Sequence, residues 1–262
     1  MVNDYSAYAS IRRGIAILGN FRRKMRKISL RTERYRWPDL VLRARGTFSQ
    51  QIIYFSRPKT PTYLSQLFDV EGSDKGWGLG NIGPPWPAHG YGDVYYEHLR
   101  HLSEQEVSIL EIGIGTTNVS IPSNMSSSGV PGASLRAMER FFTAASIVGL
   151  DVDSDVLFSQ GRVSCYLVDQ MNPKTFENFW RANPSLEPSV VIDDGLHTYE
   201  AARNSFENIF PHLVPGGTYW IEDLRGRDLL RMFDYLRKFG VAVKLFLFAR
   251  QKSSSLLMVE SR

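Results

Sequence analysis

One cysteine in 262 residues leaves nothing for an internal disulfide, which points to a reducing compartment. That residue, Cys165, lies in the apolar run RVSCYLV and reads as a core side chain, not a nucleophile. No apolar stretch approaches the roughly 20 residues that span a bilayer. The patch GIAILG (14 to 19) is too short and too late for a secretory signal. A cytoplasmic protein is expected. Apolar residues, by contrast, are plentiful: a 43% share with 15 Phe can build a large core. The length suits one large domain, or one domain with an extension.

Acidic residues are scarce at the start. Residues 1–60 hold 14 Lys/Arg against 3 Asp/Glu, and the remainder holds 17 against 24. The net charge of +4 therefore divides into +11 and −7. Within the basic part, Ile11, Ile15, Leu18, Phe21 and Met25 recur at helical spacing among arginines and lysines, which predicts a basic amphipathic helix. Packing against the acidic body or a second copy of the chain, and so a homo-oligomer, is the expectation. A membrane-surface helix is a less favoured reading. No recognised motif accompanies the charge to support nucleic-acid binding. Residues 1–60 are taken as a helical extension and residues 61–262 as the main domain.

From residue 108 the pattern alternates. SILEIG (108 to 113), SIVGLD (146 to 151), RVSCYLV (162 to 168), SVVIDD (189 to 194) and TYWIED (218 to 223) read as buried strands. Between them, helical spacing marks segments around Leu135 and Met138, Phe176 and Phe179, and Phe206 and Ile209. Leu229, Phe233 and Leu236 mark one more. VAVKLFLFA (241 to 249) and SLLMVE (255 to 260) read as a terminal hairpin. The alternation predicts an α/β fold: a parallel sheet covered on both faces, with one antiparallel strand inserted by the hairpin.

Two of the runs break into carboxylates. VIDDGLH (191 to 197) and WIEDL (220 to 224) bring Asp194, Glu222 and Asp223 to the carboxyl end of such a sheet, with His197 three residues past Asp194. Hard oxygen ligands suit magnesium or calcium, and histidine suits proton removal. A metal-assisted site is expected. His89, His98, His101 and His212 lack a partnering motif and read as structural or exposed. Trp77, Trp86 and Tyr91 fall in a Gly/Pro-rich segment (76 to 92) that is either a substrate lid or a packed loop.

The third glycine of a dinucleotide loop is also missing. EIGIGTTN (111 to 118) has Asn118 there, a Ser/Gly/Pro-rich loop follows in place of a helix, and Asp151 lies 38 residues past Gly113. Glu-x-Gly-x-Gly at the first strand end and Asp151 at the second instead resemble the class I S-adenosylmethionine (SAM) methyltransferases. More narrowly, SDKG (73 to 76), LEIGIG, GASLRAMERFF (132 to 142), IVGLD, VDQ (168 to 170), VIDDGLH and FPHLVPGGTYWIEDL (210 to 224) resemble the metal-dependent sugar O-methyltransferases of macrolide and enediyne antibiotic pathways. The resemblance covers residues 70–262.

That resemblance implies the Rossmann-like class I fold, with a mostly parallel seven-stranded sheet and a C-terminal antiparallel hairpin. It implies SAM and Mg²⁺ as cofactors and a glycosylated natural product as substrate. Asp194, Glu222 and Asp223 would bind Mg²⁺, and His197 would take the proton from a sugar hydroxyl. Glu111, Gly113, Gly115, Asp151, Asp169 and Gln170 would hold SAM. Ser134, Asp193 and Lys75 join them as cofactor contacts, Lys75 reaching the cofactor carboxylate or the substrate. The family usually has a small polar residue where Leu196 stands, a departure expected to touch substrate fit more than chemistry. A catechol-type phenol acceptor, or a non-catalytic SAM-binding subunit, is the alternative.

Overall fold

The computed structural model describes residues 50–80, 82–248 and 254–261, all within one unit, Leu42–Arg262. The helix expected around residues 11–25 lies outside the described residues.

Long apolar runs become strands because a parallel sheet covered on both faces leaves no position for a polar side chain. The strands are β1 (Gln50–Phe55), β2 (Ser108–Ile112), β3 (Ser146–Asp151), β4 (Ser159–Gln160), β5 (Val163–Leu167), β6 (Val190–Asp193), β7 (Thr218–Glu222), β8 (Val243–Phe248) and β9 (Ser255–Glu260). They form one sheet in the order β1-β8-β9-β7-β6-β2-β3-β5-β4. Only β9, against β7 and β8, and the short β4, against β5, run antiparallel. Among the described residues the sheet has nine strands, not the seven expected. Besides β4, the addition is β1, which pairs parallel with β8 although its residues were read as part of the helical extension.

The helices are α1 (Tyr63–Glu71), α2 (Tyr91–Leu99), α3 (Ala133–Phe141), α4 (Pro173–Ala182), α5 (Tyr199–Ile209) and α6 (Gly226–Phe239). Local signals set their ends. Thr62 accepts from Ser65 N at the start of α1, and Gly72 closes it in a left-handed conformation. Asn172 caps α4 ahead of Pro173, and Thr198 caps α5. One core cluster joins Phe68, Tyr91, Tyr95, Leu135, Met138 and Trp220 on the α1–α3 side. The other joins Phe176, Phe206, Tyr219, Met232 and Phe233 on the α4–α6 side. Adjacent Tyr219 and Trp220 therefore serve opposite faces, as strand alternation requires. Trp220 is fully buried, edge-on to Tyr95 at 5.2 Å.

The chain runs from β2 outward through β3 and β5, then returns to β6 on the other side of β2. That reversal opens a crevice at the carboxyl ends of β2 and β6, where open α/β sheets bind ligands. Among the described residues, no helix is long and apolar enough to cross a membrane.

Candidate active site

The crevice begins with a glycine turn. Gly113 and Gly115 hold φ of 80° and 88°, a region that L side chains rarely adopt. Gly113 is also packed: an added Cβ would lie 2.3 Å from the Asp194 carbonyl oxygen. The backbones leaving β2 and β6 touch there because nothing stands between them. Asp151, at the end of β3, fixes the turn by accepting Ile114 N at 2.9 Å through one oxygen and Asp153 N at 2.9 Å through the other. Burial raises its pKa, against those backbone donors.

A cavity of about 650 Å³ opens over this turn, lined among others by Asp151, Asp169, Gln170, Leu196 and His197. That volume lies within the range of small-molecule sites. Gln170 organises the floor. It donates to Asp193 Oδ1 (2.8 Å) and to the Ser205 hydroxyl (2.7 Å), and accepts from Leu196 N (2.8 Å). Asp193 is thereby spent beneath the cavity; burial pushes its pKa up to about 6. Asp169 turns one oxygen to Met171 N. Leu196 presents its carbonyl to the Ser123 hydroxyl, so its backbone ties the 116–131 loop to the turn after β6.

Asp194, His197 and Asp223 line the same cavity, each offering an atom within 4.8 Å of the others'. His197 Nε2 is 3.8 Å from Asp194 Oδ1, and its Nδ1 is buried without a hydrogen-bond partner. His197 and Asp223 have φ of 57° and 56°; the left-handed region is unfavourable for such residues and recurs at functional sites. Asp223 accepts from the Tyr91 hydroxyl (2.6 Å) and lies 3.0 Å from His89 Nδ1. Burial would raise its pKa, but His89, His197 and the Tyr91 hydroxyl together outweigh burial and hold it below the usual carboxylate range. Burial would lower that of His89, and Asp223 raises it instead. His89 therefore belongs to the site, and not to a structural or exposed set.

Glu222 takes a different place. It accepts the Tyr95 hydroxyl at 2.5 Å and pairs with Lys75 Nζ at 2.9 Å. It stands outside the cluster of Asp194, His197 and Asp223. Lys75, 1% exposed, also pairs with Asp194 Oδ2 and lies 3.4 Å from Glu111 Oε1. The second Glu111 oxygen accepts from Ser134 Oγ at 2.6 Å. The contacts that the structure gives Glu111 and Ser134 are thus to each other and to Lys75. Burial opposes the charge on Lys75, but its three carboxylates outweigh that and raise its pKa well above the ordinary range. One ammonium faces three acids, of which Glu111 and Glu222 are buried and Asp194 is about a quarter exposed, so one positive charge only partly offsets them. Burial pushes Glu111 up to about 7, and burial with Asp194 pushes Glu222 well up.

Sequence reading missed Tyr95 and Asp69, set His89 aside as structural or exposed, and left Tyr91 between a substrate lid and a packed loop. Asp69 Oδ1 accepts three backbone N–H groups, from Trp77, Gly78 and Leu79, which shapes the segment after Lys75. Tyr91 and Tyr95 are one helical turn apart on α2. That spacing was the one local signal that they share a face.

The sheet order, crevice and glycine turn are those of the class I methyltransferase fold. A solved structure titled as the MycE methyltransferase from the mycinamycin biosynthetic pathway, in complex with Mg, SAH and mycinamycin VI, superposes with a TM-score of 0.57. It is 24% identical and covers 77% of this chain and 55% of that one. No protein-family model matches. The chain is similar to demethylmacrocin O-methyltransferase of Streptomyces fradiae, 36% identical over 54% of this chain and 33% of the relative. It is also similar to L-olivosyl-oleandolide 3-O-methyltransferase of Streptomyces antibioticus, 37% identical over 70% and 42%. The chain thus spans less than half the length of these curated relatives. The resemblance to sugar O-methyltransferases drawn from the motifs agrees with these comparisons.

Proposed function

We propose that this chain is a SAM- and Mg²⁺-dependent O-methyltransferase acting on a sugar hydroxyl of a glycosylated natural product. The carrying observation is the shared crevice: the glycine turn with Asp151, and the Asp194–His197–Asp223 cluster, border one cavity. The residues fit both groups. The left-handed glycines let backbone approach a cofactor. The carboxylates of Asp194 and Asp223 beside His197, whose Nε2 lies 3.8 Å from Asp194 Oδ1, fit a hard cation and a proton acceptor.

When bound, SAM supplies an activated methyl group, and Mg²⁺ lowers the pKa of a hydroxyl and fixes its position. Gly113, Gly115, Asp151, Asp169 and Gln170 border the cofactor's side of the cavity. Asp194 and Asp223 offer oxygens to the cation, and His89 and Tyr91 keep Asp223 aimed. His197 accepts the acceptor's proton, and the Asp194 charge at 3.8 Å from Nε2 favours the imidazolium that results. Two neighbouring substrate oxygens would chelate best, so a vicinal diol is the favoured acceptor.

The test is methyl transfer from labelled SAM to glycosylated acceptors, with and without EDTA. His197→Ala should lower kcat by about 10²–10⁴-fold. Undiminished transfer both in EDTA and in His197→Ala would sink the mechanism. Transfer to a catechol with little loss in that variant would point to a phenol acceptor.

A further inference from the structure

Lys75 is the least expected member of the site. Its side chain is buried, and its ammonium meets acids delivered by three strands: Glu111 from β2, Asp194 just past β6 and Glu222 from β7. The ammonium is not on a free arm. Lys75 N donates to Ser73 Oγ at 3.3 Å, and Lys75 O accepts from Gly92 N at 2.8 Å, at the start of α2. The lysine enters from one covering layer and meets the acids of the sheet end from within.

Asp194 is the shared residue. Oδ2 faces Lys75, while Oδ1 faces His197 and the cluster with Asp223. A divalent ion at that cluster would sit across one carboxylate from a fixed ammonium. Like charges on either side of one acid weaken each other's hold. Glu222 is engaged through both oxygens, by Tyr95 and Lys75. While the ammonium stays, Glu222 has little to offer an ion one residue away at Asp223.

We propose that Lys75 is a built-in competitor of the divalent cation, its ammonium occupying Asp194 and Glu222 and thereby weakening metal binding while keeping both paired in the metal-free protein. The inference rests on the metal reading above. It predicts two linked properties. The wild-type protein folds without metal, because Asp194 and Glu222 already pair with the ammonium; leaving them without a cation would be costly. Removing the ammonium should create a site that binds metal more tightly and depends on it for stability.

The experiment is Mn²⁺ titration of the purified full chain, followed by calorimetry and by the loss of free-Mn²⁺ electron paramagnetic resonance signal, with thermal melts in EDTA and in Mn²⁺. Lys75→Met should bind Mn²⁺ at least tenfold more tightly than wild type, and melt lower in EDTA but recover in Mn²⁺. Lys75→Met/Glu111→Gln removes the ammonium together with one buried charge, so it keeps the test available if the single variant does not fold. It should show the same tightening. Unchanged or weaker Mn²⁺ binding in a folded variant overturns the proposal, because a merely structural ion pair would lower stability without raising metal affinity. No binding by wild type or either variant overturns the metal reading itself, and the competitor with it. Binding by the variants alone supports the competitor.

Discussion

Replacing Gly113 with alanine tests the contact that closes the crevice. Two costs are separable. The first is conformational: φ of 80° penalises an L side chain by about 1–2 kcal/mol. The second is steric. The new Cβ would lie 2.3 Å from the Asp194 carbonyl oxygen and 2.7 Å from its carbon, both backbone atoms that cannot swing aside. Overpacking of that kind costs about 1–3 kcal/mol. Gly216 supplies the control, with φ of 76° and nothing within 4 Å of an added Cβ. Gly216→Ala should lose the first cost alone, and Gly113→Ala both, roughly 2–5 kcal/mol. Urea melts of the two variants measure the difference. In thermal melts it is worth about 2–4 °C per kcal/mol for a chain of this size. The Gly113 variant should also lose Mn²⁺ binding, since the strand ends can relax only by moving Asp194. If both variants are equally stable and both bind Mn²⁺ like wild type, the close approach of β2 and β6 does not build the site.

Asp223→Asn should weaken Mn²⁺ binding at least tenfold in calorimetry. It should also remove at least half of the stabilisation, about 2.7 kcal/mol, that wild type gains at metal concentrations 100 times its Kd. Asp193 carries a pH dependence. Its folded pKa, about 6, is raised by burial, so its contribution is complete below the unfolded value near 4 and is lost as pH rises through 6. Between pH 8 and pH 5 in EDTA, wild type should gain about 1.4 kcal/mol over Asp193→Asn; a gap that does not move with pH would refute the burial argument. Asp69→Ala should cost about 1–3 kcal/mol by stranding the Trp77, Gly78 and Leu79 amides. Asp69→Asn, which can still accept, should cost much less in the same urea melts.

The central strands were legible because burial on both faces forces uninterrupted apolar runs, and β2, β3, β6 and β7 read that way. Strand β1 carried the same signal in IIYF, but the positive charge around it dominated the reading. At the site, the glycine turn and the acids at strand ends were visible because each is a local pattern. The different placements of Glu222 and Asp223 were not. Adjacent positions at a strand end take opposite directions, and only the packed structure shows Tyr95 and Lys75 claiming one, and His89 and Tyr91 the other. Those partners lie more than a hundred residues upstream. No sequence pattern marks an ion pair between Lys75 and Glu222, because only the packing of the segment between α1 and α2 on the sheet end brings them together.

Strand β9 gives the order in which the site can come into being. It lies between β7 and β8, its Ser255 carbonyl accepts from Asp223 N at 3.0 Å and from the Tyr91 hydroxyl at 3.3 Å, and the Ser255 hydroxyl bonds Leu224 O at 2.6 Å. A ribosome delivers the glycine turn, Asp151 and His197 well before it delivers residue 255. During synthesis the glycine-turn half of the crevice can close around its own contacts, while Asp223 waits for a strand not yet made. A nascent chain arrested short of β9 should therefore be able to shape the glycine turn but hold no fixed cation cluster.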